Sequence, residues 1–342
     1  MYSCNDNLPI NQILCGDNFQ LIQKLPDGSV NLVITSPPYF QQRDYGGGMG
    51  NETDVNQYID ILLRLFHECV RVVKDDGNIV FNVGDKYQES NLLLVPYRFA
   101  IAATETGLVR LVNEITWIKS NPTPRQFRRR LVSSTEPFFH FVKSDDYFYN
   151  PDAFLTQART QKQSSQKANT NVGQRYFELI AQSELSEPEK TEARRELTEV
   201  IQEVKRGQTH SFRMKIRGIH AEPFGGQEGG RKLQLKNKGF TIIRMHGNKL
   251  KRDVIETSVA TVKENKHPAI YPVEVVAEFL HLLTPADALV LDPFMGSGST
   301  AVACKKLGRD YIGYDINPEY CEYARHRVSD TPHATPSLFK EM

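Results

Sequence analysis

The chain lacks long apolar runs. Those it has, such as Val30–Ile34 and Ala288–Leu291, fall far short of the roughly 20 residues a membrane helix needs, so no membrane span is expected. The opening Met-Tyr-Ser-Cys-Asn-Asp-Asn has neither a basic nor an apolar stretch, so no signal peptide is expected and a cytoplasmic location follows. Cysteine is scarce: Cys4, Cys15, Cys69, Cys304 and Cys321 are odd in number and contain no Cys-x-x-Cys pair. That suggests neither a disulfide framework nor a zinc site, and reads as ordinary reduced residues, mostly in the core. Net charge is scarce as well, with 42 Lys and Arg against 41 Asp and Glu, or +1. Taken whole, that balance argues against a histone-like or polybasic protein. Internal repeats are absent.

What is present is a composition able to fold. At 342 residues, 39% hydrophobic and 24% charged, the chain can bury a large core, and disorder throughout is excluded. Residues 12–36 pattern as strand, helix, Pro26-Asp27-Gly28 turn and strand. Between Tyr58 and Lys74, apolar residues at 59, 62, 63, 66, 70 and 73 follow a helical period, stopped by Asp75-Asp76-Gly77 before a strand over 78–83. A helix over 92–106, a run ending at Lys119 and a strand over 138–142 continue the alternation.

From about 151 to 250 the periodic strands are expected to vanish, and Gln, Asn, Ser, Gly and Arg dominate. Within this stretch Ser186 and Glu189 form a capping box ahead of a helix carrying Leu197, Val200, Ile201 and Val204. The alternation then resumes with a helix over 272–283, a strand over 288–292, a helix over 299–307 stopped by Gly308, a strand over 311–315, and a helix entered through Asn317-Pro318. Strands and helices alternating on both sides of an insert predict an α/β fold, one doubly wound, mostly parallel sheet built from two separated chain segments. The tail 329–342, with two prolines and no periodicity, is expected to be loose.

Two motifs stand at strand ends. In Leu291-Asp-Pro-Phe-Met-Gly-Ser-Gly-Ser-Thr300 an apolar strand runs into a glycine-rich turn that opens a helix. Gly296 and Gly298 allow a tight turn and close backbone approach, and N–H groups at the helix start attract polar or anionic groups. Asp315 closes the next strand, 19 residues after Gly296, where a carboxylate can accept from both hydroxyls of a ribose. Together these make a nucleoside-cofactor site. Gly296-x-Gly298-x-x-Ala301 also fits a dinucleotide fingerprint, and any glycine turn can be a plain connection. The second motif is Thr35-Ser-Pro-Pro-Tyr39. Consecutive prolines stiffen the backbone and fix its carbonyl directions, so that Ser36, the Pro37 carbonyl and the Tyr39 ring can converge on a planar group bearing an amino function. A strand merely ended by proline is the alternative.

With both motifs present, the chain resembles the DNA amino-methyltransferases, which use S-adenosyl-L-methionine to methylate the exocyclic nitrogen of cytosine or adenine. The order of motifs resembles that of the beta group, and the likeness covers roughly 10–155 and 250–328. It implies a Rossmann-like methyltransferase domain with a catalytic half at 10–150, a cofactor half at 254–328, and a target recognition insert at 151–253. By the same resemblance Ser36, Pro37, Pro38 and Tyr39 are the catalytic corner. Thr35, Asp292, Pro293, Phe294, Gly296, Ser297, Gly298, Thr300 and Asp315 bind the cofactor. His267-Pro268 resembles a segment lying against its methionine part, although a lone histidine is more often a packed core residue. Asp17 resembles a carboxylate that receives its adenine amino group. Ser299 departs from the usual Gly-Ser-Gly-Thr. No metal is implied, and no covalent cysteine.

The reaction so implied is direct methyl transfer to an amino nitrogen of a flipped base in double-stranded DNA. Serine ahead of Pro-Pro-Tyr resembles the N4-cytosine members and aspartate the N6-adenine ones, though a serine hydroxyl can hold an adenine amino group equally. Residues 205–252 hold 13 Lys and Arg against Glu222 and Glu228, or +11, leaving the remainder at −10. The near-neutral total is thus a cancellation. Arg213, Lys215, Arg217, Arg231 and Lys232, interleaved with Phe212, Met214, Ile216 and Phe224, suit a phosphate-gripping surface, where the alternative is a solvated charged face. Arg125, Arg128 and Arg129 form a second basic loop. Arg43 and Tyr45 lie in a glycine-rich loop that either closes over DNA or is an ordinary connection. The resemblance suggests a restriction-modification role beside a partner endonuclease and a nucleoid-associated location, and leaves monomer or homodimer open. An NAD-dependent oxidoreductase leaves Pro-Pro-Tyr and the basic insert unexplained; a non-catalytic DNA-binding relative would retain both.

Overall fold

A computed structural model describes residues 8–42, 48–122, 129–151, 173–206, 209, 211–221, 230–245, 252–258 and 272–332. The chain divides into two compact units, one of Met1–Ala153 with Lys251–Met342 and one of Phe154–Leu250. In the larger unit eight described strands form one sheet. In chain order they are β1 (Gln12–Cys15), β2 (Val30–Thr35), β3 (Val73–Asn82), β6 (Arg110–Lys119), β7 (Thr135–Val142), β10 (Val254–Thr257), β11 (Leu289–Asp292) and β12 (Asp310–Asp315). A separate short hairpin, β4 (Tyr87–Gln88) and β5 (Asn91–Leu92), lies between β3 and β6 in the chain. The spatial order of the main sheet is β1-β12-β11-β2-β3-β7-β6-β10. Every pairing in it is parallel except those of β7, which runs antiparallel to β3 and β6.

The strands alternate between two cores because successive side chains point to opposite faces. Val33, Ile79, Phe81, Phe139 and Phe141 face one core, which they share with α1 (Asn18–Ile22), α2 (Val55–Val72) and α3 (Val95–Glu105). Leu32, Ile34, Val80, Phe138 and Val290 face the other, against α7 (Val273–Leu283), α8 (Ser299–Leu307) and α9 (Pro318–Ser329). Covering both faces explains why these strands read as nearly unbroken apolar runs. On the first face Phe66 of α2 meets Phe81, Phe99 and Phe141 at ring separations of 5.0–5.5 Å. Among the described residues, no helix is long and apolar enough to cross a membrane.

Two expectations change. The Asp75-Asp76-Gly77 stop does not separate helix from strand: α2 ends at Val72 and β3 starts at Val73. The pairing jumps from Val30–Val73 to Leu32–Asn78, so the acidic residues bulge from the ladder instead of ending it. Nor do strands vanish in the insert. There β8 (Ser211–Ile216) pairs antiparallel with β9 (Phe240–Met245). Phe212, Met214 and Ile216 of β8 are buried with Ile180, Leu197 and Val200 of α4 (Gln174–Gln182) and α5 (Glu187–Lys205). The interleaving of basic and apolar residues is the period of a strand with one buried face. The capping box forms as expected, Ser186 bonding the Glu189 backbone and Glu189 returning to the Ser186 N–H.

A polar pair lies inside the sheet. Asn78 donates to the Phe148 and Leu283 carbonyls at 2.9 and 3.0 Å, which orients its Oδ1 at His140 Nε2, 2.8 Å away. Burial lowers the His140 pKa from 6.5 to about 4. Above pH 6.5 the ring is neutral in both folded and unfolded chains. As the pH falls below that, the unfolded chain takes up a proton that the folded chain refuses until about pH 4, so stability drops. Urea titrations between pH 7 and 4 are expected to show a loss of about 3 kcal/mol from this residue alone. His140→Gln should lower stability at pH 7 and show a shallower decline through the same window.

Candidate functional site

Parallel strands end on one edge of the sheet, and there the two motifs meet. β2 and β11 are neighbours, yet β2 leads on to β3 on one side and β11 to β12 on the other. That divergence opens a crevice at the strand carboxyl ends, where α/β sheets place their ligands. One buried carboxylate spans it. Asp292 Oδ1 accepts from Thr35 Oγ1 at 2.7 Å and from the Phe294 N–H at 3.1 Å, while Oδ2 accepts from Thr300 Oγ1 at 2.6 Å. Thr35 and Thr300 are fully buried and Asp292 is nearly so. Expected among the cofactor contacts, these three side chains bond one another, and their geometry is that of a clasp between the motifs.

Beyond Asp292 the turn closes through Met295, whose N–H donates to the Tyr314 carbonyl at 2.7 Å. Gly298 begins α8 at φ +84°, and a Cβ there would stand 2.9 Å from Ala324 Cβ. No other residue fits without moving α9. Asp315 at the end of β12 accepts from the Gly296 N–H at 2.9 Å and the Asn317 N–H at 2.8 Å. Burial raises its pKa, partly opposed by those amides. Asp17 follows the end of β1 beside it: Cys15 pairs with Asp315 and the Gly16 N–H donates to the Asp315 carbonyl. Asp17 Oδ1 caps α1 at Phe19 N, 2.8 Å. Two carboxylates and the glycine turn thus flank one end of the crevice.

Arg327 of α9 was not foreseen. Its Nη1 donates to the Ser297 carbonyl and hydroxyl and to the Ser299 hydroxyl at 3.0–3.2 Å. Ser299, the departure from the usual motif, is therefore part of the clamp on the turn. Burial lowers the Arg327 pKa.

On the other side of the clasp the Ser-Pro-Pro-Tyr corner turns over the end of β3. Ser36 Oγ lies 3.1 Å from Asn82 Oδ1 and 3.2 Å from the Tyr39 hydroxyl, which itself lies 2.6 Å from Asn82 Oδ1 and 3.1 Å from Glu136 Oε2. Asn82 Nδ2 donates to the Pro137 carbonyl, which aims Oδ1 at the corner. Glu136 Oε1 pairs with Lys119. The Tyr58 hydroxyl donates to the Pro38 carbonyl at 2.9 Å. A Cβ at Gly84 would fall 2.3 Å from Tyr39 Cδ2, so the ring lies against bare backbone. Asn82, Gly84, Lys119 and Glu136 were all missed. An asparagine at the end of an apolar strand was the one available signal; Lys119 and Glu136 sit 17 positions apart and meet only because β6 pairs with β7.

Cys69, Cys304 and Cys321 are buried, and burial raises their pKa values, that of Cys321 to about 12. None is a ready thiolate nucleophile. In the insert Arg213 is exposed on the β8 face opposite its core, and Lys215 donates to the Ala221 carbonyl. Arg231 and Lys232 are exposed at the start of α6 (Arg231–Lys238), and Arg129 is exposed. Arg217, expected on the DNA face, is exposed and binds Glu189 at 2.9 Å and the Lys236 carbonyl at 3.1 Å. The acidic helix α5 likewise takes Lys238 through Glu196 and Arg244 through Glu203. Arg43, Tyr45, Arg125, Arg128, His267 and Pro268 lie outside the described residues.

A family model described as DNA methylase matches residues 30–326. The type II methyltransferase M.SfiI of Streptomyces fimbriatus is 28% identical, with 89% of this chain and 88% of that protein aligned. In structure the chain is similar to the PvuII DNA methyltransferase (cytosine-N4-specific), with a TM-score of 0.59 at 16% identity over 92% of this chain and 85% of that one. It is also similar to a protein of Thermus thermophilus described as a DNA modification methylase and solved with S-adenosyl-L-methionine, with a TM-score of 0.51 at 19% identity over 93% of this chain and 94% of that one.

Removing the clasp tests its weight. Asp292→Ala leaves two buried hydroxyls and a backbone N–H without their acceptor, and is expected to cost roughly 2–4 kcal/mol. Chemical denaturation checks it; Asp292→Asn, which keeps one acceptor, should cost less.

Proposed function

The chain belongs to the DNA methylase family, and from that premise we propose that it transfers a methyl group from S-adenosyl-L-methionine to the exocyclic N4 of cytosine in double-stranded DNA, within a restriction-modification system. The observation that carries this reading is the buried Thr35–Asp292–Thr300 clasp, which sets the Ser36–Tyr39 corner beside the glycine turn. The donor set fits the cofactor. Asp315 keeps lone pairs for ribose hydroxyls beside its bonds to backbone amides, Asp17 Oδ2 can receive an amino group, and Gly296 and Gly298 leave the turn without side chains. His267 and Pro268, which the resemblance implies lie against the methionine part, are outside the described residues. Bound there, S-adenosyl-L-methionine supplies an electrophilic methyl group on sulfur.

This chain's residues prepare the acceptor. An exocyclic amine shares its lone pair with the ring, and acceptors that hold its hydrogens turn the lone pair outward. Ser36 Oγ and the Pro37 carbonyl are those acceptors, Asn82 orients Ser36, and Tyr39 stacks on the base. The base must leave the duplex, which costs a few kcal/mol. Support for cytosine comes from serine at the first motif position and from the similarity to a cytosine-N4-specific enzyme. The oxidoreductase alternative falls with family membership.

DNA from cells expressing the protein, sequenced by a method that separates N4-methylcytosine from N6-methyladenine, is expected to carry N4-methylcytosine at one recurring sequence. N6-methyladenine there would reverse the choice of base. Ser36→Ala should fold normally and lose most activity; a fully active Ser36→Ala would remove the catalytic corner from the reading.

Residues 151–253 are proposed to recognise the target. Arg213, Lys215, Arg231 and Lys232, and in the larger unit Arg129, are the cations that phosphates would meet. Arg213→Ala is expected to weaken binding across all sequences and to reduce the slope of log affinity against log salt by about 1. Because Arg217 is held by Glu189, Arg217→Ala should leave that slope nearly unchanged. Filter binding over a salt series separates the two.

A further inference from the structure

The Tyr39 hydroxyl has one proton, and among the described residues it reaches both Asn82 and Glu136. At 2.6 Å from Asn82 Oδ1 and 3.1 Å from Glu136 Oε2, its proton points to Asn82, since two bare oxygens do not approach so closely. Glu136 Oε2 then faces the corner with acceptor capacity toward Tyr39. Lys119 holds the other carboxylate oxygen, Oε1, and the Lys119 ammonium sits over the Trp117 ring, 4.8 Å from its centroid. The Trp117 indole is anchored in turn by donating to Thr257 Oγ1 at 2.8 Å. Lys119 and Glu136 are each about one-fifth exposed. A charged pair so placed, fixed from three strands and reaching the reacting corner through a phenol, exceeds what packing requires.

We propose that Glu136, aimed by Lys119, takes up the proton that the amino nitrogen sheds on methylation, through Ser36 and Tyr39. The inference rests on the methyl-transfer reading above. When the nitrogen–carbon bond forms, the nitrogen carries one hydrogen too many. That proton passes to Ser36 Oγ as the Ser36 proton passes to the Tyr39 oxygen, 3.2 Å from Ser36 Oγ, and the Tyr39 proton turns from Asn82 to Glu136 Oε2. One N–H and two O–H bonds break and three O–H bonds form. The methylamino group ends neutral, and so does Glu136, which returns its proton to water between turnovers. Glu136 acts through Tyr39 and is a positioning residue and proton acceptor, not a group in contact with the base.

The test is steady-state transfer of labelled methyl from S-adenosyl-L-methionine to duplex DNA by the full-length protein. Glu136→Gln keeps an oxygen beside Tyr39 but cannot take the proton, and is expected to lower kcat roughly 100-fold with both KM values little changed. In Glu136→Ala, added formate should restore part of kcat. Lys119→Met/Glu136→Gln removes both charges, so that an unpaired lysine cannot account for the loss, and should remain as slow as Glu136→Gln. Retention of kcat in Glu136→Gln, recovery in the double variant, or no response to formate each overturns the proton route. Loss through a rise in KM alone does so too, since it would mark a binding role. Absence of methyl transfer by the unaltered protein would instead defeat the functional reading.

Discussion

A single buried carboxylate ties together the two motifs on which the catalytic unit depends. Asp292 closes β11 at the end of the second chain segment, and Thr35 closes β2 near the start of the first, 257 positions away. A pair so distant in the chain carries a large entropic cost of closure, which the flanking sheet and both cores must offset before the bond forms. Once formed, the carboxylate leaves neither hydroxyl without an acceptor. The glycine turn and the Ser-Pro-Pro-Tyr corner, set side by side by the pairing of β2 with β11, are joined through it. Arg327 and Asp315 then fix the turn from the far side, and Asn82 and Glu136 fix the corner.

The electrostatics of the insert follow a different rule. A net +11 over 205–252 suggests a uniformly cationic surface, yet the helix just before that window, α5, carries Glu187, Glu189, Glu192, Glu196, Glu199 and Glu203. Three of these neutralise Arg217, Lys238 and Arg244. Such exposed pairs add little stability. Their consequence is directional, because they leave Arg213, on the hairpin face away from the core, as a cation aimed at solvent.

The alternation of strands and helices was legible because a sheet covered on both faces requires short apolar strands and one-sided helices, patterns that local sequence displays. The glycine turn and the Pro-Pro corner were legible for the same reason, since each depends on backbone freedom or rigidity within a few residues. The β8–β9 hairpin was also written there. Its alternation of Phe212, Met214 and Ile216 with basic residues is a strand period, masked by the density of charge around it. The bulge at 74–77 was not visible, because Gly77 and two acids make an excursion as readily as a stop.

By itself the sequence determined the fold class, the two motifs and the division around an insert, since propensity and periodicity act over neighbouring residues. Only the tertiary structure decided which side chains work together. That Thr35 bonds Asp292, that Arg217 pairs with Glu189, and that Glu136 reaches the Tyr39 hydroxyl depend on elements brought side by side from distant parts of the chain. Hydrogen bonds and ion pairs act over about 3 Å, and proximity on that scale is set by the register of the sheet.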